Sequence, residues 1–145
     1  MSEIIQHHSC GIIVYRYDSK LHQNLFLLLQ YPQGHIDLAK GHIEPGEQLV
    51  DCAKRELLEE TGIDDIKLVD GFTDVISYTY SENDQTHYKK VDFFLGETQV
   101  QEIKISHEHT DFMWLPFEQA LENLTFDNAR TLLTSAKSFL DTVSE

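Results

Sequence analysis

The feature that most constrains the fold is a helix that the sequence predicts over Gln48–Thr61. Pro45 and Gly46 stand before it, and Gly62 follows it at the position where helices commonly end in a left-handed residue. Its apolar residues recur at helical spacing: Leu49, Ala53 and Leu57. These side chains would face a core, so the rest of the chain must supply a surface on which the helix packs.

The same helix carries three glutamates, Glu56, Glu59 and Glu60, at spacings i, i+3 and i+4. At about 100° per residue their carboxylates fall within an arc of about 100°. Such neighbours repel by roughly a few tenths of a kcal/mol per pair, and we expect Lys54 and Arg55 to project elsewhere. Taken alone, the cluster reads as a solvated acidic face. The alternative is a bound cation, for which Mg²⁺ or Mn²⁺ is the natural choice because both prefer oxygen ligands.

The remaining elements predict a mixed β-sheet with helices on its faces, an α/β architecture. Strands are predicted at Cys10–Tyr17, Leu25–Gln30, Asp65–Val69, Gly71–Tyr80, Val91–Glu97 and Phe112–Leu115. Helices are predicted at Phe117–Asn123 and Asp127–Val143. No repeat or linker divides the chain, so residues 1–145 are expected to form a single domain.

The net charge of −14 argues against one class of function. Such a surface repels nucleic acid, so a general RNA or DNA binder is disfavoured. A small phosphorylated substrate is compatible with it, because bound divalent cations would receive the phosphates. Cys10 and Cys52 are too few for a disulfide framework and lack metal-site spacing. With no membrane-spanning run and no signal-peptide pattern, we expect a cytoplasmic monomer with no membrane partner.

The residues that flank the three glutamates make the cluster a specific motif. Residues 41–63, GHIEPGEQLVDCAKRELLEETGI, fit the pattern G-x5-E-x7-R-E-U-x-E-E-x-G-U, with U an apolar residue, at every fixed position. In this motif the chain resembles the Nudix hydrolases, and the resemblance extends over essentially its whole length. It implies a Nudix fold, an α/β/α sandwich with a mixed β-sheet. It also implies substrates in which a nucleoside diphosphate is linked to another group.

The resemblance further implies roles for the residues of the motif. The metal ligands it implies are Glu56, Glu59, Glu60 and the backbone carbonyl of Gly41. Arg55 would pair with Glu47, which fixes the loop against the helix and orients the ligands. Mg²⁺, or Mn²⁺ in its place, would bridge phosphate oxygens, offset developing charge and lower the pKa of an attacking water.

Features outside the motif resemble one group of the family, the asymmetrical diadenosine tetraphosphate hydrolases. Residues 40–42 match that group's K-G-H sequence, and residues 106–109, followed by an aromatic residue and a tryptophan, match its S-H-E-H segment. The substrate contacts that this similarity implies are Lys40, His42, Tyr78, Lys89 and Phe126. Tyr78 and Phe126 would enclose an adenine, and Lys89 would hold a distal phosphate. Glu108 would be a fourth carboxylate, either a metal ligand or the general base.

Plainer readings exist for several of these residues. Glu108 alone reads as a surface glutamate between two solvated histidines, Lys89 as a solvated lysine on an edge strand, and Tyr78 as a cross-strand packing residue. The stretch His35–Ala39 departs from the group, which usually has an aromatic residue and prolines there. This departure predicts a differently shaped loop at the entrance to the site.

The sequence therefore predicts Mg²⁺-dependent hydrolysis of a phosphoanhydride, with diadenosine tetraphosphate cut to ATP and AMP as the leading reaction. One alternative is a pyrophosphohydrolase that acts on nucleoside triphosphates, such as oxidised dGTP, or on the 5′ end of RNA. The other alternative is a non-catalytic module of the same fold that senses nucleotides. Such a module need not keep its carboxylates, whereas every carboxylate of the motif is present here.

Overall fold

The computed structural model describes residues 3–143, which form one eight-stranded sheet and three helices. The strands are β1 (Ile4–Asp18), β2 (Gln23–Gln30), β3 (Ile36–Asp37), β4 (Ala39–His42), β5 (Lys67–Leu68), β6 (Asp74–Glu82), β7 (Gln85–Glu97) and β8 (Asp111–Pro116). The helices are α1 (Leu49–Thr61), α2 (Phe117–Asn123) and α3 (Asp127–Val143). The path β3-β2-β1-β7-β5 forms the spine of the sheet, to which β4, β6 and β8 are added at β1, β7 and β2.

The long strand β1 organises the sheet. It runs parallel to β7 from Ile4 to Tyr15, whereas its pairings with β2 and β4 are antiparallel, so the sheet is mixed. Residues 15–18 of β1 pair with β2, and residues 9–12 pair with β4. This register sets Gly41 of β4 opposite Cys10 of β1, directly beneath α1.

Helices cover both faces of the sheet, which confirms the predicted α/β/α sandwich with a mixed β-sheet. On one face α1 packs on a buried cluster that includes Cys10, Ile12 and Leu57. On the other face α2 and α3 pack on a cluster that includes Ile13, Phe93 and Leu133. Within residues 3–143, none of the helices is long and apolar enough to cross a membrane.

The helices lie where their apolar spacing predicts them. The helix predicted over Gln48–Thr61 begins one residue later, at Leu49, and its Ala53 and Leu57 are buried. The two C-terminal helices have the predicted bounds. Strand β2 is buried on both faces, as its unbroken apolar run predicts, because Leu25 to Leu29 are each at most 4% exposed.

The strands differ more from their predicted bounds. β1 begins at Ile4 rather than Cys10, because its polar first half is paired along β7. β5 is reduced to Lys67–Leu68, and β6 begins at Asp74 rather than at Gly71. β3 and β4 are not predicted at all, since segments of two and four residues are too short to show a period.

The hairpin between β6 and β7 is tighter than its polar sequence predicts. The predicted strands end at Tyr80 and resume at Val91, yet the strands pair as far as Glu82 and Gln85. Only Asn83 and Asp84 form the turn, with φ values of 54° and 61°. Two consecutive left-handed residues match the twist of the hairpin, and Asn and Asp adopt this conformation readily. Tyr78 and Tyr80 lie on one face of β6, with ring centroids 6.2 Å apart.

Candidate active site

The three glutamates of α1 lie in three different environments. The helix ends at Gly62, whose φ of 77° lets its N–H reach the Leu58 carbonyl at 2.9 Å. The side chain of Glu56 is 15% exposed, that of Glu59 is 57% exposed and that of Glu60 is 3% exposed. A uniformly solvated acidic face would not show this spread, because it would leave all three carboxylates in water.

Arg55 lies among the carboxylates, so the expectation that it projects elsewhere is wrong. Its Nε and Nη2 donate to the two carboxylate oxygens of Glu47 at 2.7 and 3.0 Å, a bidentate pair. Its Nη1 donates to Glu56 at 2.9 Å and lies 3.3 Å from Glu59. Arg55 also donates to the His42 carbonyl at 3.0 Å. Hydrogen bonding to Arg55 lowers the pKa of Glu47 to about 2, so this pair ties residues 42–47 to the helix in charged form.

Gly41 gives Glu56 the room that it occupies. A Cβ at position 41 would collide with the Glu56 carboxylate, so no other residue fits there without moving that side chain. The Gly41 carbonyl accepts a long hydrogen bond from the Cys52 thiol at 3.7 Å. Burial raises the pKa of Glu56, while its hydrogen bond from Arg55 opposes that rise. The strand β4 and the helix α1 thus bring the Glu56 carboxylate close to the backbone of Gly41.

Glu60 meets His109, a residue whose role the sequence does not reveal. His109 Nε2 lies 3.3 Å from Glu60 Oε2, and both side chains are nearly inaccessible to solvent. Glu60 Oε1 is buried and has no hydrogen-bond partner among the described residues. Burial raises the pKa of Glu60 to about 7. On its other side His109 Nδ1 lies 3.1 Å from the Ser106 hydroxyl, so the S-H-E-H segment is joined to the end of α1.

A cavity of about 450 Å³ brings most of the predicted site residues together. Those lining it are Lys40, Gly41, His42, Glu56, Tyr78, Lys89, Glu108 and Phe126. The predicted residues that do not line it are Glu47, Arg55, Glu59 and Glu60. The cavity therefore joins carboxylates of α1 and of the S-H-E-H segment to lysines and aromatic rings of the sheet and of the segment before α3.

Cationic groups occupy the sheet side of the cavity. Lys89 lies on β7, which is paired on one side with β1 and on the other with β6, so it is not on an edge strand. Burial lowers the pKa of Lys89, and the charge of Lys40 lowers it further. Lys40 itself pairs with Asp37 at 2.9 Å. The pKa of His42 is lowered by burial and then by Lys89, so the imidazole beside the two lysines favours its neutral form.

Three lining residues were missed by sequence reasoning: Tyr31, His35 and Asp37. The rings of Tyr31 and His35 are stacked with centroids 4.4 Å apart, and Tyr31 also meets His109 edge-on at 4.5 Å. Residues 31–34 form a turn, as their sequence Tyr-Pro-Gln-Gly predicts: the Gly34 N–H donates to the Tyr31 carbonyl at 2.8 Å, and Gly34 has a φ of 100°. Its sequence signals a turn but gives no sign that the turn lines a site.

The carboxylates suit a hard divalent cation, although they do not form a closed cage. Within residues 3–143, no three His, Cys, Asp or Glu side chains converge as a ready-made metal site. The reason is that Arg55 occupies the space between Glu56 and Glu59, and Glu60 is turned toward His109. The unpaired buried oxygen of Glu60 and the close approach of Glu56 to Gly41 nevertheless supply oxygen donors of the kind that Mg²⁺ and Mn²⁺ prefer.

Fold and site together define a class of protein. It is a mixed-sheet sandwich in which a loop and a helix present carboxylates to a cavity whose other walls carry lysines and aromatic rings. The model of the NUDIX domain matches residues 6–134. The chain belongs to the Nudix family and is a Nudix hydrolase, which confirms the resemblance seen in the motif.

The chain is also similar to individual proteins that have names. The bis(5'-nucleosyl)-tetraphosphatase (asymmetrical) of Mus musculus is 32% identical over 142 residues, which cover 91% of this chain and 94% of that protein. The crystal structure of a C. elegans Ap4A hydrolase binary complex has a TM-score of 0.81 at 26% identity, and the match covers 94% of this chain and 98% of that one. An RNA pyrophosphohydrolase of Bartonella clarridgeiae is 32% identical over 95 residues, 61% of this chain and 54% of that protein.

Proposed function

We propose that this chain hydrolyses nucleoside polyphosphates. The substrate that we propose in particular is diadenosine tetraphosphate, which would be cut to ATP and AMP. The observation that carries the proposal is the single cavity of about 450 Å³ that joins Glu56 and Glu108 to Lys40, Lys89 and Tyr78. Such a cavity offers ligands for cations, positive charges for phosphates and a ring for a base. The similarity to proteins named asymmetrical tetraphosphatases supports the same substrate.

The carboxylates of α1 are proposed to hold Mg²⁺, or Mn²⁺ in its place. Glu56, Glu59 and Glu60 would bind it together with the Gly41 carbonyl. Bound there, the cation would polarise the phosphate oxygens and lower the pKa of the attacking water. The role of Arg55 is to position these ligands, because it holds Glu56 and Glu47 at once. Binding would require Arg55 to release Glu59, whose exposed side chain is free to turn.

Glu108 is proposed as the group that takes the proton from the attacking water. Its backbone N–H is held by the Ser106 hydroxyl at 3.2 Å, whereas its carboxylate makes no hydrogen bond or ion pair within residues 3–143. Glu56 faces the same cavity, but Arg55 already donates to one of its oxygens. A free carboxylate is the better proton acceptor, because it loses no hydrogen bond when it accepts the proton.

Lys40, Lys89 and His42 are proposed to hold the phosphates that are not attacked. Two ammonium groups with a neutral imidazole beside them match a chain of phosphates, to which Lys binds as a point charge. Tyr78 and Phe126 would enclose one adenine, and stacking of this kind is worth about 1–3 kcal/mol per base. The long chain of four phosphates would then span the cavity from the base to the carboxylates.

A substrate panel tests the proposal. The chain is incubated with Mg²⁺ and, separately, with diadenosine tetraphosphate, ADP-ribose, dGTP and NADH, and the products are resolved. ATP and AMP in equal amounts from the first substrate are the expected result. Formation of ADP alone, or the absence of turnover, contradicts the proposal. Labelled water then identifies the phosphorus that is attacked.

The same panel separates the two alternatives. Because the chain is similar to an RNA pyrophosphohydrolase, a triphosphorylated RNA is added to the panel of substrates. The net charge of −14 argues against RNA as the substrate. A faster reaction with that RNA or with dGTP would replace the dinucleotide as substrate. The non-catalytic alternative predicts that the wild-type chain turns over none of these substrates. The carboxylate assignment is tested with Glu59→Gln and Glu60→Gln. Mg²⁺-dependent turnover that survives in both variants would show the carboxylate assignment to be wrong.

A further inference from the structure

A second, smaller cavity of about 320 Å³ opens beside the first. The two cavities share Asp37, Lys40, Tyr78 and Phe126. Beyond these shared residues the smaller cavity is lined by Ile76, Asn128 and Ala129. Its walls are therefore mostly aliphatic and aromatic, which suits a flat heterocycle better than a phosphate.

The two charged side chains of this second cavity, Asp37 and Lys40, are paired with each other. Asp37 accepts the Leu38 N–H at 2.7 Å with one oxygen and the Lys40 ammonium at 2.9 Å with the other. Lys40 is a donor only, so it can meet acceptors such as phosphate oxygens but cannot pair with both a donor and an acceptor of a base. A base in this cavity must find its partner elsewhere.

Asn128 is the remaining polar side chain of the cavity wall apart from the Tyr78 hydroxyl. It is the second residue of α3, and its amide makes no hydrogen bond or ion pair within residues 3–143. The amide carries a donor and an acceptor side by side. Adenine presents the same pair in reverse, its 6-amino group next to a ring nitrogen, and Asn binds adenine through two such bonds in other settings.

We propose that Asn128 is a specificity-determining residue that reads the edge of the adenine base. The inference deepens the proposed function and rests on it for the position of the base. Tyr78 and Phe126 would hold the faces of the ring, which every base possesses, whereas Asn128 would distinguish one base edge from another. A solvated asparagine at the start of a helix is the competing explanation, and it predicts no dependence of affinity on the base.

Binding of mononucleotides tests the inference without requiring turnover. Dissociation constants for AMP, GMP and ribose 5-phosphate are measured by calorimetry in Mg²⁺ for the wild-type chain, Asn128→Ala and Asn128→Asp. Asn128→Ala is expected to raise the dissociation constant for AMP about ten-fold, which corresponds to the loss of one bidentate contact. The dissociation constant for ribose 5-phosphate should not change. Asn128→Asp is expected to lower the preference for AMP over GMP about ten-fold, because a carboxylate accepts two hydrogens from guanine and donates none to adenine.

The matched control is Asn123→Ala, whose side chain donates to Gln119 on α2 and lines neither cavity. It should bind all three ligands as the wild-type chain does, and thermal unfolding shows that each variant is folded. The inference is overturned if the ratio of the dissociation constants for AMP and GMP is the same, within about two-fold, in the wild-type chain and in Asn128→Asp. A wild-type chain that binds neither nucleotide also overturns it.

The two proposals fail separately. If the wild-type chain releases no ATP and AMP from diadenosine tetraphosphate but Asn128→Asp still shifts the AMP-to-GMP ratio, the proposed reaction is wrong and the base contact stands. If the reaction proceeds and the ratio does not move, the base contact alone is wrong.

Discussion

At the scale of single residues, His109 is the side chain that links the two carboxylate-bearing segments. It is fully buried, it lies 3.3 Å from Glu60, and it is joined to Ser106 on its other nitrogen. A partner of this kind fixes the direction in which a ligand points, and its loss typically lowers metal affinity about 10- to 100-fold. The geometry assigns His109 as a positioning residue for Glu60.

Replacement of His109 tests that assignment. His109→Ala is expected to raise the Mg²⁺ concentration needed for half-maximal turnover about ten-fold or more, because Glu60 loses the group that orients it. Titration of activity with Mg²⁺, together with calorimetric binding of Mn²⁺, measures the effect. His107→Ala is the control, since His107 is exposed and lies outside the cavity. Equal metal dependence in both variants would make His109 a packing residue only.

The raised pKa of Glu60 makes the stability of the metal-free chain depend on pH. Burial raises its pKa from 4.5 to about 7, so between these values the folded chain holds a proton that the unfolded chain has released. The free energy of unfolding therefore falls as the pH rises from about 4.5 to about 7. Denaturant unfolding in EDTA at several pH values measures this slope, and Glu60→Gln should flatten it. An unchanged slope in the variant would assign the effect to other groups.

At the scale of elements, the contact between the loop and α1 depends on the Glu47–Arg55 pair. Arg55 donates twice to Glu47, and a lysine could not hold Glu47, Glu56 and the His42 carbonyl at once. The pair is in the part of the chain whose structure the sequence predicts best. The motif itself contains both residues, and the cap at Gly62 fixes the end of the helix that carries Arg55.

Acid stability tests the pair. The pKa of Glu47 is lowered from 4.5 to about 2, so its contribution to stability is present above about 4.5 and is lost as the pH falls toward about 2. Glu47→Gln should therefore unfold more easily than the wild-type chain at pH 7, and the difference should vanish in strong acid. Glu44→Gln is the control, because Glu44 is mostly exposed and lies 3.7 Å from Arg55. A difference that is constant with pH would mean that the ion pair is not its source.

The sequence predicts some helices and strands of the fold and not others. α1, α2 and α3 are predicted because their apolar residues repeat over two or more turns, and β2 because its apolar run is unbroken. β4 carries Lys40, Gly41 and His42, yet only its pairing with β1 makes it a strand. The position of Arg55 among the glutamates was missed for a related reason: a helical wheel gives the direction of a Cβ, whereas a long side chain can turn back along the helix.

At the scale of the whole molecule, the cavity is assembled from segments far apart in the chain. The cavity is lined by Tyr31, Tyr78, Lys89, Glu108 and Phe126. These residues meet because β6 and β7 pair in the sheet and the segments after β2, before β8 and before α3 lie beside them. No local pattern predicts such a meeting. The similarity to the Ap4A hydrolase group was enough to name four of these five residues, and it left Tyr31 out.

The proposed role of Tyr78 depends on the complete cavity. Loss of a stacking ring removes binding energy that substrate and transition state share, about 1–3 kcal/mol. Tyr78→Ala should therefore raise KM for diadenosine tetraphosphate about ten-fold and change kcat little. Tyr80→Ala is the matched control: it lies two residues along the same strand, stacks on His87 at 4.8 Å and does not line the cavity. Steady-state kinetics of both variants decide the matter, since an unchanged KM in Tyr78→Ala would make the ring a packing residue of the sheet.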